Sequence, residues 1–275
     1  MPVAASLYYF VNQPEDRNKN RPPVILLHGA GGNHLSWPPQ IRRLDGESIY
    51  ALDLPGHGKS ESAGRQSIAE YVDDVIAFMK SLKIRAAVMV GISMGSAIAL
   101  QLALKYPKKV CGLCLFGAGA KLPVAPVILE TVGNANSFVS AVDMINQNCF
   151  GVQAPKNLVQ LSKRQMLEMR PPVLLGDFMA CNAFDATSQL GKIDIPSLIV
   201  CGAEDKMTPV KLSESLRDGI ANSQLHVVDD SGHMVMLEQP DTVANLLMQF
   251  IDNIPLRVGK AAGRRIAPKG GADSD

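Results

Sequence analysis

The pentapeptide GISMG at 91–95 has the spacing G-x-S-x-G. It falls where a β-like run (AAVMV, 86–90) gives way to a helical one (SAIALQLAL, 96–104). A serine at such a corner is lifted above a sheet edge in a strained conformation, and small residues two before and two after it relieve the crowding. It also stands at a helix N-terminus, whose dipole and free N–H groups favour an anion forming nearby. The same residues fit a Gly/Ser capping turn without chemistry. The partners decide, because a nucleophilic serine needs a base and the base an orienting carboxylate.

Five histidines are candidate bases for Ser93. His28 directly follows an apolar run, and His57 sits in PGHGKS between two glycines that supply unusual backbone angles; both read as loop-shaping residues. His34 precedes the single Trp37 and is a candidate for a pocket mouth, whereas His226 reads as a strand residue. His233 stands in DSGHM, a loop between the last strand-like run and the last helical one, on the same sheet edge as Ser93. It is the expected base. Asp205, in GAEDKMTP after the run SLIVC, is the expected orienting carboxylate, with Glu204 its main rival and Asp229 or Asp230 weaker ones. The chain order Ser93, Asp205, His233 is the order nucleophile, acid, base.

The elements that must position these residues follow from periodicity. Strands are expected at 24–27, 49–52, 87–90, 110–116, 197–201 and 225–228, and helices at 67–82, 94–105, 210–220 and 242–254. Alternation of this kind predicts an α/β fold, a mostly parallel sheet flanked by helices. Between 118 and 194 the alternation stops. Helical patterns at 127–132, 138–145, 157–169 and 173–184 are punctuated by Pro155 and Pro171-Pro172, which predicts a helical cap inserted into the core formed by 1–117 and 195–256. The segment 257–275, rich in Gly, Ala and charge, reads as a disordered tail.

Composition narrows the function. With 27 basic and 26 acidic residues, the total charge points to neither nucleic acid nor an anionic surface. The uncharged run 86–104 is about long enough to span a bilayer, yet its glycines and serines break it in the middle, so a buried strand feeding a buried helix is expected and no membrane insertion. Five cysteines do not suggest a disulfide scaffold, and the CxxC at Cys111 and Cys114 lies in a strand-like run where positions three apart face opposite sides. A cytoplasmic protein is expected. The GKS at 58–60 lacks the earlier glycine of a P-loop, no G-x-G-x-x-G joins a strand to a helix, and no H-E-x-x-H occurs, so neither nucleotide, metal nor other cofactor is inferred.

Over roughly 22–254 the chain resembles an α/β-hydrolase, carried by HGAGG at 28–32, DLPGHGKS at 53–60, GISMG at 91–95, GAEDKMTP at 202–209 and SGHMVMLEQP at 231–240. The resemblance implies a Ser93–Asp205–His233 triad and an oxyanion hole made by the backbone N–H groups of Met94 and Ala30, with Gly31 as a substitute for Ala30. One departure is visible: before the first clear strand stands little more than 7–11, which predicts a short N-terminal sheet edge. Serine at the elbow argues against epoxide hydrolases and haloalkane dehalogenases of this fold, which carry Asp there. The activity implied is that of a carboxylesterase, and the few charged residues on the cap faces point to neutral, fairly lipophilic small-molecule esters. Lactonases, carbon–carbon hydrolases or lyases share the triad, and a slow-turnover ligand receptor shares the fold. A carbon–carbon hydrolase predicts a polar anchor in the cap, for which Arg164 and Arg170 are the candidates. Expected substrate-binding residues are Gly31, Leu122, Phe138, Met166, Phe178, Met207 and Met234, with Val127, Val142, Met169 and Met179 as further cap candidates; flexible thioethers suit an adaptable pocket.

Overall fold

Short runs of β-branched and apolar residues pair into one sheet. The computed structural model describes residues 2–15, 17 and 20–254, so the expected 257–275 tail lies outside the described residues. The strands are β1 (Val3–Ala4), β2 (Leu7–Asn12), β3 (Val24–Leu27), β4 (Ile49–Leu52), β5 (Ala87–Ile92), β6 (Val110–Phe116), β7 (Ser197–Gly202) and β8 (Ser223–Val228), in the spatial order β1-β2-β4-β3-β5-β6-β7-β8. β1 and β2 are antiparallel to their neighbours, and the pairs from β4 through β8 are parallel. The N-terminal edge is thus a six-residue strand flanked by a two-residue one.

Helices cover both faces, which is why every residue of β3, β5 and β7 is buried. Alternate strand residues sort into two layers. Ile25, Leu27, Ala87 and Met89 face α2 (Ile68–Ser81), α3 (Met94–Lys105) and α8 (Val210–Gly219). Val24, Leu26, Val88 and Val90 face α1 (Pro39–Arg42), α9 (Val235–Glu238) and α10 (Pro240–Asp252). The run 86–104 is therefore β5 followed by α3, apolar because both are buried; among the described residues no helix is long and apolar enough to cross a membrane. One expectation fails. A register shift between β5 and β6 at Ala87/Val88 skips Cys111, so Cys111 and Cys114 pack toward the same layer rather than opposite ones.

Between β6 and β7 lie α4 (Pro126–Val132), α5 (Phe138–Cys149), α6 (Lys156–Leu167) and α7 (Pro171–Ala183). Pro126 and Pro171 open their helices at the first position and Pro155 caps α6, places where the missing N–H would have no intrahelical partner anyway. These helices share a core of their own, with Val132, Val142, Ile145 and Leu174 buried together. A bridge between Lys121 and Asp185, reinforced by an ion pair of 2.9 Å, ties the two ends of this segment.

Candidate active site

The carboxyl ends of the parallel strands share one edge, so the loops after β3, β5, β7 and β8 converge there. Ser93 occupies the corner between β5 and α3 with φ 54° and ψ −117°, a region that L-residues rarely enter. The two motif glycines are demanded by contact. A Cβ on Gly91 would lie 2.1 Å from the Gly95 carbonyl oxygen, and one on Gly95 would lie 2.0 Å from that of Leu27. Gly91 thus lets α3 begin directly over β5, and Gly95 lets α3 press against the end of β3.

His233, in the loop between β8 and α9, is buried, and its Nδ1 lies 2.9 Å from Asp205 Oδ2. Asp205, in the loop after β7, is buried as well. Its Oδ1 accepts from the backbone N–H groups of Met207 (2.9 Å) and Thr208 (2.8 Å), and its Oδ2 also accepts from Thr208 Oγ1 at 2.7 Å. Burial disfavours the carboxylate, but His233 and the Thr208 donors outweigh it and hold Asp205 below the usual range. Gly117 (φ 45°) seats the imidazole: a Cβ there would meet His233 Cε1 and Nδ1 at 2.8 Å. Thr208 escapes a reading by motif; its signal is an acceptor carboxylate three residues earlier, the spacing of a local side-chain turn.

The backbone N–H groups of Ala30 and Met94 have no acceptor among the described residues. The Gly31 N–H is taken: it donates to Asp177 Oδ2 at 2.9 Å, which removes Gly31 as a substitute donor. The rival acids are engaged or outside the cluster. Glu204 Oε2 accepts the Val152 N–H at 2.7 Å, and Asp229 and Asp230 are exposed.

The chain from residue 24 to 246 matches the model of the alpha/beta hydrolase family. The chain belongs to that family. Similar proteins include 3-oxoadipate enol-lactonase 1 of Acinetobacter baylyi, 26% identical over 251 residues (89% of this chain, 92% of that protein). Another is the 2-hydroxymuconate semialdehyde hydrolase of Pseudomonas sp. strain CF600, 27% identical over 253 residues (83% and 86%). Among solved structures, a thermophilic esterase superposes with a TM-score of 0.77 at 30% identity, covering 90% of this chain and 98% of that one. Their names are those of a lactonase, a hydrolase and an esterase, and this chain is a hydrolase.

Of the remaining histidines of the hydrolase, His28 and His34 tie down loops. His28 is wholly buried, donates from Nδ1 to the Gly29 carbonyl (2.8 Å) and accepts the Leu54 N–H at Nε2 (3.0 Å). Burial, aided by nearby His57, pushes it down to about 4, so it is neutral. His34 Nδ1 lies 2.8 Å from Asp53, a partner that draws it away from any pocket mouth. His226 lines a separate surface groove with Leu198 and Phe250.

Above Ser93 the hydrolase encloses a cavity of about 60 Å³ between the core loops and the cap. Of the expected substrate-binding residues, Gly31, Met166, Phe178, Met207 and Met234 line it, as does Ala30. Leu122 and Phe138 do not. Leu122 is buried in the layer of α2 and α3, and Phe138 faces inward at the start of α5, in the cap's own core. Val142 is likewise core, Val127 and Met179 are exposed, and Met169 borders a neighbouring groove. Ser162 and Gln165 of α6 reach the cavity beside Met166, the spacing of one helix face. Polar residues on a half-exposed helix look like ordinary surface in sequence, which is why they escape notice there.

Proposed function

We propose that this hydrolase cleaves carboxylic esters of short, neutral, fairly lipophilic acyl groups, lactones included as cyclic esters. Ser93 Oγ attacks the carbonyl carbon while His233 takes the hydroxyl proton, and the N–H groups of Ala30 and Met94 receive the negative oxygen. Asp205 orients His233 through Nδ1, leaving Nε2 for the serine proton. The protonated imidazole then gives its proton to the departing alcohol. Water, deprotonated by His233 in turn, attacks the acyl-enzyme, releasing the acid and restoring Ser93.

The observation that carries this reading is the strained Ser93 at the floor of a cavity beside two open backbone donors, with the His233–Asp205 pair on the same edge. Neutral substrates are supported by the lining, which among the described residues includes no Asp, Glu, Lys or Arg. Short acyl groups are supported by the volume, well below the roughly 300–1,000 Å³ of drug-sized ligand pockets. The polar anchor that a ketone-cleaving enzyme would need is not supplied by the cap arginines. Neither Arg164 nor Arg170 lines the cavity, and Arg170 donates to the Ser62 carbonyl at 2.9 Å.

The test combines a fluorophosphonate probe with p-nitrophenyl esters from acetate to octanoate. Labelling is expected on Ser93, with acetate and butyrate the fastest substrates and no turnover in Ser93→Ala. Full turnover in Ser93→Ala, or a preference for charged acyl groups, overturns the reading.

A further inference from the structure

Asp177, on α7, is wholly buried and belongs to none of the roles assigned above. Its carboxylate reaches across the boundary between cap and core. Oδ2 accepts from the Gly31 N–H (2.9 Å) and faces His57 Nε2 at 2.8 Å, and Oδ1 accepts from Tyr71 O–H at 2.5 Å. These partners come from three separate pieces of the core: the loop after β3, the loop after β4, and α2. His57 Nδ1 lies 2.9 Å from the Pro55 carbonyl, so both ring nitrogens face acceptors. Burial disfavours a charged imidazole here, but Asp177 and the Pro55 carbonyl outweigh it and raise His57 above the ordinary histidine value.

The Gly31 bond bears on the neighbouring donor. The turn 29–32 is held by one bond of its own, Gly32 N–H to the Gly29 carbonyl (3.1 Å), by His28 Nδ1–H donated to that same carbonyl (2.8 Å), and by the Gly31–Asp177 bond from the cap. Gly31 has φ +66°, and a Cβ there would meet Leu174 Cδ1 of α7 at 2.9 Å. The cap thus presses on the same residue that it hydrogen-bonds. With the Gly31 N–H pinned toward Asp177, the peptide plane that carries the Ala30 carbonyl is set from α7; the plane that carries the Ala30 N–H is set through the Gly29 carbonyl, which accepts from Gly32 N–H and His28 Nδ1. Both planes flanking Ala30 are therefore held, and its N–H has no acceptor among the described residues.

We propose that Asp177 is a positioning residue: by clamping the Gly31 amide from the cap, it fixes the peptide plane that follows Ala30 and so holds the loop where the Ala30 N–H, oriented through the Gly29 carbonyl, meets the oxyanion, and full activity needs the cap seated. This rests on the ester-hydrolysis reading above. Asp177 touches no substrate atom; it acts through the loop.

The test is Asp177→Asn, nearly the same shape but without the charge and with one acceptor oxygen fewer. With p-nitrophenyl acetate, kcat is expected to fall about 100-fold, the scale of an ångström-sized misplacement, while KM stays within about threefold because the lining side chains are untouched. Inhibition by a trifluoromethyl ketone, whose adduct with Ser93 carries an oxyanion, is expected to weaken by the same factor as kcat. A merely structural role would change melting temperature and leave kcat and inhibition unaltered in the folded fraction, and that result overturns the proposal. If Asp177→Asn does not fold, Asp177→Asn/His57→Gln removes the buried His57–Asp177 pair as a unit and carries the same readouts. An active wild type with either folded variant at full kcat removes the Asp177 role alone; a wild type inactive on every ester removes the ester reading and this role together.

Discussion

Replacing Ser93 with glycine separates the strain at this corner from the chemistry proposed for it. Ser93 sits at φ 54° and ψ −117°, and a non-glycine residue in so sparsely populated a region costs about 1–3 kcal/mol. Glycine adopts these angles without that cost but loses more conformational entropy on folding, about 0.5–1 kcal/mol. The surroundings permit the change, since Ser93 Oγ makes no hydrogen bond to a described residue that would be lost. Ser93→Gly is therefore expected to be about 1 kcal/mol more stable than the wild type, a rise of roughly 2–4 °C in melting temperature for a chain of this size. Ser93→Ala keeps the Cβ and the strain, so it should melt close to the wild type. Both should lose ester hydrolysis. Calorimetry of the three proteins side by side, at one pH and one scan rate, is the assay. If Ser93→Gly melts no higher than Ser93→Ala, the backbone at the elbow is not strained and the argument from φ is wrong.

Two further outcomes follow from the hydrogen bonds. Asp205→Asn should lower kcat about 10,000-fold, because the amide favours the wrong imidazole tautomer, whereas Glu204→Gln, whose carboxylate accepts the Val152 N–H, should stay within a few-fold; equal losses would reassign the acid. His28, held neutral with a value of about 4, contributes stability that is fully present above the ordinary histidine value of about 6.5 and is lost as pH falls from there toward 4. The loss is roughly 3 kcal/mol, so urea denaturation at pH 7 and pH 4 should show it, and His28→Gln should flatten the difference; an unchanged slope would mean that His28 is charged or solvated in the fold.

What could be read from the chain without its fold was what depends on neighbours in sequence. The G-x-S-x-G corner, the strands before and after it, and the proline-opened cap helices all express local sterics and short periods. The order of Ser93, Asp205 and His233 added a constraint, because parallel strands deliver successive loops to one edge. The alternatives left open there needed partners far away in the chain. Ala30 is the expected donor with Gly31 its substitute, and the substitute drops out only because Asp177, 146 residues on, accepts the Gly31 N–H. Leu122 and Phe138 are as apolar as Met166 and Phe178, yet only the rotation of each helix against its neighbours decides which side chains face the cavity. The shift that places Cys111 and Cys114 in one layer likewise arises between β5 and β6, not within either. Local sequence determined the strained corner at Ser93; packing between distant segments decided which neighbouring amide stays open and which side chains wall the cavity, since backbone direction and helix rotation are set by contacts that periodicity does not encode.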